Sequence, residues 1–560
     1  MEPATPATIK NVIDFVLGPE EVKEGKFLGW PPDAFAIAGH LLQLSGAYTE
    51  VVKNCPPGTF HGPRWQKDIE KRGEDWRRKT DVESVPKQVK DWWAYVLRRQ
   101  ETALSEIWRD RKLWRALLSI CAAADAACIG VGVAVQDVKR DFLSWRCTDL
   151  LRRSAINQVS STLCQAIHPS KLSVLPKMHT PQKGITFRSL SHNLALCAAS
   201  DVKVNWTEAI PLEGLTPRPE SDHAAAVLIV PYPLTVEPSQ FGPARPPQGN
   251  LHDMDEQFGF FEFVPTTTPE RFIGHVLQLC KKAKRKVGRL DGVIFPEMAL
   301  EPNRYQQVRN AVFREGVSFL ISGVYKPAAN HKPAWNYAQI ALKVVDKYFI
   351  EVEQQKHHRW FLEDNQICQY GLGSTLNPNR RWWEYTSLHD RSLTFLSLNS
   401  WLTISVLICE DLARPDPVGN LLRAVGPNLV VALLQDGPQL TSRWSARCAS
   451  VLADDPGSSV LTLTSAGMAQ LSSPVPASSV TRPPQPVIAL WKDRATGFRE
   501  IPLAPGAEAM VLSLTHTFEK EWTADGRHDH GGASVIKLAG VHAIGSGERT
   551  SYPRRRPKRN

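Results

Sequence analysis

A glutamate, a lysine and a cysteine, each just past a short apolar run, are the residues of this 560-residue chain best suited to chemistry. They stand in Phe295-Pro296-Glu297, Lys356-His357-His358 and Ile408-Cys409-Glu410-Asp411-Leu412-Ala413-Arg414. A thiol becomes a nucleophile when a base removes its proton or a nearby cation favours the thiolate. Glu297 can be that base and can later pass the proton to a leaving amine. Lys356 can hold positive charge beside the thiolate and then beside a tetrahedral oxyanion, to which the Glu410 N–H would also donate. The product of attack is a thioester acyl-enzyme, released by water. Taken singly, each residue also fits a plain structural role: Cys409 as a small buried strand-end side chain, Lys356 and Glu297 as solvated strand ends. Their shared placement after apolar strands is what favours chemistry. Asp411 and Arg414 are expected to brace the turn through a salt bridge, and His357 and His358 to shape a loop.

The elements that must position these groups follow from hydrophobic patterning. From about residue 222, short continuous apolar runs alternate with helical segments. The runs are Ala224–Val230, Gly292–Phe295, Val317–Val324, Leu402–Ile408, Leu429–Leu434 and Ser459–Thr464, with Trp335–Val345 and Tyr348–Glu353 read as a hairpin. Such runs suit strands buried on both faces, and the alternation with helices indicates a layered α/β domain over 222–515. Active groups at strand ends fit that architecture. Residues 1–170 read as a mainly helical domain. Its tryptophans (Trp65, Trp76, Trp92, Trp93, Trp108, Trp114, Trp145) are assigned to a helical core rather than to base stacking. Residues 171–221 form a connecting segment, with Leu172–Leu196 as a hairpin or docking arm.

Composition narrows the class. Hydrophobic residues make up 42% and charged residues 22%, as in ordinary globular proteins. The net charge is +10, yet six cations fall in the last twelve residues, Arg549 to Asn560. Residues 516–560 are therefore read as a flexible basic tail; nucleic-acid or acidic-partner binding through it is weighed and set aside. The apolar stretch Leu117–Val135 carries Asp125 near its middle, which argues against a membrane span. Ten cysteines with no CxxC pair, and no leader-like N-terminus, predict a reducing, cytoplasmic setting without a zinc site. His528-Asp529-His530 could ligate a metal but lacks further ligands.

The order Pro296-Glu297, Lys356 at a hairpin strand end, and Cys409-Glu410-Asp411 resembles the nitrilase, or carbon–nitrogen hydrolase, superfamily. The resemblance continues through Arg443-Trp444-Ser445-Ala446-Arg447 and Thr464-Ser465-Ala466-Gly467 and covers roughly half the chain. It implies a four-layer α-β-β-α sandwich that commonly pairs into dimers or larger homo-oligomers. It also implies hydrolysis of a non-peptide C–N bond in a small amide or nitrile-type substrate, amide preferred, by a Glu-Lys-Cys triad with no cofactor. The family's second active-site glutamate falls approximately at Glu363. Fifty-three positions separate Lys356 from Cys409, longer than the family's usual spacing, so an insertion is expected at Gly371–Arg391. Its Arg380-Arg381-Trp382-Trp383 string is read as a cover for the pocket. The alternative is a regulatory or interaction protein, such as one of a bacterial defence system, that uses the domain as sensor or scaffold.

Overall fold

The computed structural model describes residues 7–18, 26–53, 62–78, 85–133, 141–208, 225–244, 257–329, 332–345, 348–472, 485–529 and 531–545. The tail cations at 549–559, His530 and the 346–347 turn lie outside the described residues.

Helices α1 (Ile9–Leu17), α2 (Pro31–Ser45), α3 (Gly62–Arg78), α4 (Lys87–Arg98), α5 (Arg111–Ala127) and α6 (Phe142–Ile156) build the N-terminal part. Local chemistry sets their starts. Asp110 accepts from the N–H groups of Lys112 and Leu113, and Asp141 from that of Ser144, satisfying donors that a helix start leaves open. Trp76, Trp93 and Trp114 are buried in this part, while Trp108 and Trp145 remain exposed. Asp125, in the last turn of α5, is fully buried. Its carboxylate accepts from the backbone of His192, Asn193 and Leu194 and pairs with Arg527 at 3.2 Å. A buried charge persists only when matched in this way. Among the described residues no helix is long and apolar enough to cross a membrane.

A two-stranded hairpin follows, β1 (Leu172–Pro176) with β2 (Leu194–Ala198), and then β3 (Lys203–Glu208). The remaining strands are β4 (Ala225–Ile229), β5 (Phe241–Pro243), β6 (Phe258–Phe263), β7 (Gly292–Ile294), β8 (Phe319–Lys326), β9 (Trp335–Val345) and β10 (Tyr348–Gln355). After these come β11 (Phe361–Leu362), β12 (Arg381–Glu384), β13 (Ser392–Ser397), β14 (Thr403–Ile408), β15 (Leu429–Leu434) and β16 (Ser459–Thr464). The last four are β17 (Val487–Asp493), β18 (Gly497–Pro502), β19 (Ala509–Glu519) and β20 (Ala533–Ile544). Interspersed are α7 (Arg271–Val287), α8 (Pro302–Arg314), α9 (Asp364–Gln369), α10 (Gly419–Val425), α11 (Trp444–Asp454) and α12 (Ala466–Leu471).

Two seven-stranded sheets stack, ordered β10-β9-β8-β7-β4-β19-β20 and β18-β17-β16-β15-β14-β13-β3. The period of two along each strand explains the layering. In β4, Ala226 and Leu228 pack with Phe272 and Val276 of α7 and Val308 and Val312 of α8 on the outside. Val227 and Ile229 instead join the core shared with the second sheet. The alternation recurs in β19, with Val511 outside and Leu512 inside. On the second sheet, α11 packs against β16 and β17. The architecture is a four-layer α-β-β-α sandwich with a helical N-terminal region, and one continuous core runs from Ile9 in α1 to Leu538 in β20. A third sheet, β11-β12-β6-β5, flanks the sandwich.

Two boundaries differ from the sequence reading. The layered α/β domain does not stop at 515, because β19 crosses that point and β20 pairs with it along its whole length. Residues 516–529 and 531–545 are therefore structural rather than a free tail. The burial of β20 is irregular, as expected at a sheet edge, so its alternation is weak in the sequence. Likewise β3 does not belong to a linker: it lies parallel to β13 and closes the second sheet.

Candidate active site

Strand β7 ends at Ile294, and its continuation places Glu297 in the turn that follows. Gly323 of β8 makes this possible. Its N–H donates to Pro296 O at 3.1 Å, and a Cβ there would lie 2.4 Å from Glu297 Cα. The next residue, Met298, adopts a positive φ of 54°. Cys409 also has a positive φ, 46°, at the point where β14 passes into a short 3-10 turn over Cys409–Leu412. Strain of this kind in non-glycine residues costs on the order of 1–3 kcal/mol each and is found at functional turns. Here both cases fall at or beside candidate residues.

Lys356 follows β10 directly. Its Nζ donates to Glu297 Oε1 at 2.8 Å and to Glu384 Oε2 at 2.7 Å. Asn336 Nδ2 ties the same two carboxylates together, at 2.8 Å to Glu297 and 2.9 Å to Glu384. Asn336 shares its face of β9 with Ala338, Ile340 and Leu342, which belong to the core between the sheets, so the cluster sits on that inner side. Glu297, Lys356, Glu384 and Cys409 are all buried.

The electrostatics follow from two buried carboxylates sharing one buried ammonium. Burial opposes charge on Lys356, but Glu297 and Glu384 outweigh it and hold the ammonium well above the ordinary lysine range. Burial raises the Glu297 carboxyl; Lys356 pulls against this and Glu384 adds to it. Burial also pushes the Cys409 thiol well up, Glu297 pushes further, and Lys356 pulls down. Glu297 Oε2 is buried and has no hydrogen-bond partner among the described residues, which leaves it open to receive a proton.

Of the residues singled out in the sequence, Glu297 and Lys356 pair directly, the buried Cys409 thiol feels the charge of both, and Glu363 lies elsewhere. Glu363 is exposed and caps α9, its backbone N–H accepted by the Gln366 side chain. The second carboxylate is Glu384, on β12 within the expected insertion. That segment therefore contributes a group to the cluster rather than only covering a pocket. A signal existed: in Arg381-Trp382-Trp383-Glu384 the strand alternation puts Glu384 on the buried face with Trp382. Asn336 had no such marker.

Asp411 and Arg414 do not pair with each other. Asp411 accepts from the backbone N–H of His357 at 3.1 Å and of His358 at 3.0 Å, fixing the segment that carries Lys356. Arg414 binds Glu410 instead, at 2.9 Å, because their i,i+4 spacing brings the ends together in solvent. His357 Nε2 meets Ser392 O at 2.8 Å, a loop-shaping contact. Beyond the cysteine, Asp436 is buried and accepts from Tyr370, from Arg443 at 2.7 Å and from Trp444 Nε1 at 3.0 Å, and its charge reaches Cys409. His528 packs edge-on against Trp522, and among the described residues no group of three or more His, Cys, Asp or Glu could hold a metal.

If Glu384 rather than Glu363 governs the lysine, the two substitutions must separate. Glu384→Gln is expected to lower kcat/KM at least on the order of 10²-fold by removing one charge from the ammonium's cradle. Glu363→Ala should remain within about two-fold of the parent, since surface changes are usually near neutral. Steady-state kinetics on both proteins decide the matter; the reverse ranking would remove Glu384 from the site.

No family model and no curated protein matches the sequence. Among solved structures the chain is similar to a cysteine-to-alanine mutant of the Nesterenkonia AN1 amidase from the nitrilase superfamily. That match is 12% identical with a TM-score of 0.31 and covers 54% of this chain and 93% of that one. Similarity extends to Saccharomyces cerevisiae Nit3, 11% identical with a TM-score of 0.27, covering 50% and 92%. A carbon–nitrogen hydrolase from Helicobacter pylori G27 matches at 11% identity and a TM-score of 0.26, covering 57% and 88%. The chain's own features are a four-layer α-β-β-α sandwich, a buried Glu-Lys-Glu cluster and a buried cysteine at a strand end.

Proposed function

We propose that this protein is a carbon–nitrogen hydrolase of the nitrilase type, cleaving a non-peptide amide bond through a thioester on Cys409. The observation that carries this reading is the fully buried Lys356 ammonium held between Glu297 and Glu384, in the field of a thiol at a strained strand end. A structural ion pair needs no such neighbour, and burying unmatched charge is unfavourable.

In the reaction, Glu297 Oε2 takes the Sγ proton as sulfur attacks the substrate carbonyl carbon. The C=O π electrons move to oxygen, and the oxyanion is met by the Lys356 ammonium and the Glu410 N–H. Collapse breaks the C–N bond, Glu297 returns the proton to the departing nitrogen, and ammonia or an amine leaves. Water then adds to the thioester with Glu297 again as base, the thiolate is expelled and reprotonated, and a carboxylic acid is released. Lys356 stays charged throughout, as its elevated proton affinity requires. Pairing of the sandwich into a homo-oligomer and a small-molecule substrate are part of the same reading.

The pH dependence tests it. Because the Glu297 carboxyl is raised by burial, its basic form is lost at a higher pH than for a free glutamate. kcat/KM for a primary amide should fall as pH drops through a limb clearly above about 4.3, the ordinary glutamate value. Glu297→Gln should remove the limb together with the activity. A limb at or below the ordinary value would contradict Glu297 as base. The scaffold alternative predicts no turnover at any pH.

A further inference from the structure

Strand β15 ends at Leu434, and Gln435 is the next residue. Only 1% of it is exposed, yet neither its amide nitrogen nor its amide oxygen has a hydrogen-bond partner among the described residues. Burying both ends of a carboxamide unpaired is costly, so native side chains of this kind face something that pairs with them.

Strand register indicates where Gln435 lies. Leu429, Val431 and Leu433 align with Ser459, Leu461 and Leu463 of β16. Ser459 faces inward, because its hydroxyl donates to Ile536 O of β20 in the opposite sheet at 2.6 Å. Continuing the alternation, Gln435 belongs to this inner side, which Asn336 and its two carboxylates also occupy. It lies past the carboxyl ends of three parallel neighbours, β14, β15 and β16, where layered α/β folds collect ligands. Ile408 aligns with Leu433, so Gln435 is close in register to Cys409 and Glu410, and the charge of adjacent Asp436 already reaches the thiol.

We infer that Gln435 recognises a second planar donor–acceptor group on the substrate, a carboxamide or ureido group beyond the scissile bond. This rests on the hydrolase reading. A carboxylate or nitrile offers only acceptors and an ammonium only donors, whereas a carboxamide or ureido group presents an N–H and a C=O side by side. Those satisfy both ends of Gln435 with two parallel hydrogen bonds. The scissile carbonyl is already served by Lys356 and the Glu410 N–H, and the departing nitrogen by Glu297. The recognised group is therefore a separate one. Gln435 acts as a specificity-determining residue, and substrates with an apolar group at this position lose affinity.

The test is alkylation of Cys409 in the full-length protein by two reagents of matched length, N-bromoacetylglycinamide and N-propylbromoacetamide, followed by peptide mass spectrometry. The glycinamide reagent should react faster on the order of ten-fold, from two hydrogen bonds. Gln435→Met, which keeps the length of the side chain, should bring the ratio of the two rates to about one. Equal rates on the parent protein overturn the inference without any variant, as does a preference that survives Gln435→Met. If neither reagent modifies Cys409 while exposed Cys368 reacts, the hydrolase reading falls and this inference with it.

Discussion

Cys409→Ala should reduce amide hydrolysis on the order of 10⁴–10⁶-fold, to the background left by the oxyanion donors and binding alone. The size of the effect follows from the mechanism: without sulfur there is no covalent intermediate, and neither Glu297 nor Lys356 can supply one. The cost to the fold should be about 1 kcal/mol, because only one buried sulfur is lost and the backbone at 409 already holds its positive φ. Turnover of a panel of primary amides, thermal melting and mass detection of a substrate-derived thioester measure the three consequences together. A folded Cys409→Ala protein that still hydrolyses the panel at the parent rate would end the nucleophile assignment.

Lys356→Met should do more damage to stability. The parent ammonium answers two buried carboxylates at 2.8 and 2.7 Å; without it, Glu297 and Glu384 face one another with no cation between them. Removing one partner of a buried ionic cluster costs about 3–5 kcal/mol, and activity should fall on the order of 10³-fold or more with the oxyanion's cation gone. The sign with pH is fixed by the carboxylates. In the variant their folded-state proton affinity exceeds that of the unfolded chain, so the penalty is greatest at high pH. It shrinks as pH falls and one of them binds a proton. Denaturant melts at pH 5 and pH 8 should therefore show a smaller gap from the parent at pH 5. An equal gap at both would mean that lost packing, not unpaired charge, explains the loss. Lys356→Arg should not restore function, since the planar guanidinium cannot occupy a point between two converging oxygens in the same way.

The ease with which parts of this molecule are read from its residues varies with how local their causes are. The runs Leu402–Ile408, Leu429–Leu434 and Ser459–Thr464 are uninterrupted apolar segments because parallel strands buried on both faces need them, and they form β14, β15 and β16. Strands β13 and β17 lack that clarity, as Thr394 and Ser397 in one and Lys492 and Asp493 in the other break the pattern. Asp125 is informative in both settings. Its place in an apolar helix argues against lipid, and the structure shows its charge matched by three backbone N–H groups and by Arg527, some four hundred residues away. Arg527 itself lies in what reads as a polar tail, because nothing near it in the chain announces its distant partner.

The residues alone pointed to the three groups proposed here for chemistry, since Glu297, Lys356 and Cys409 each follow a strand whose hydrophobicity is a local property. They also determined the layered α/β architecture, because periodicity of two and of 3.6 is written into each segment separately. Only the tertiary structure decided that Glu384 and not Glu363 completes the lysine's cradle, that Asn336 joins the carboxylates, and that β20 belongs to the sandwich. Those choices depend on which side chains are buried against one another across 28 to 59 positions of chain. A buried charge selects its partner by proximity in space, and that proximity exists only once the sheets have stacked.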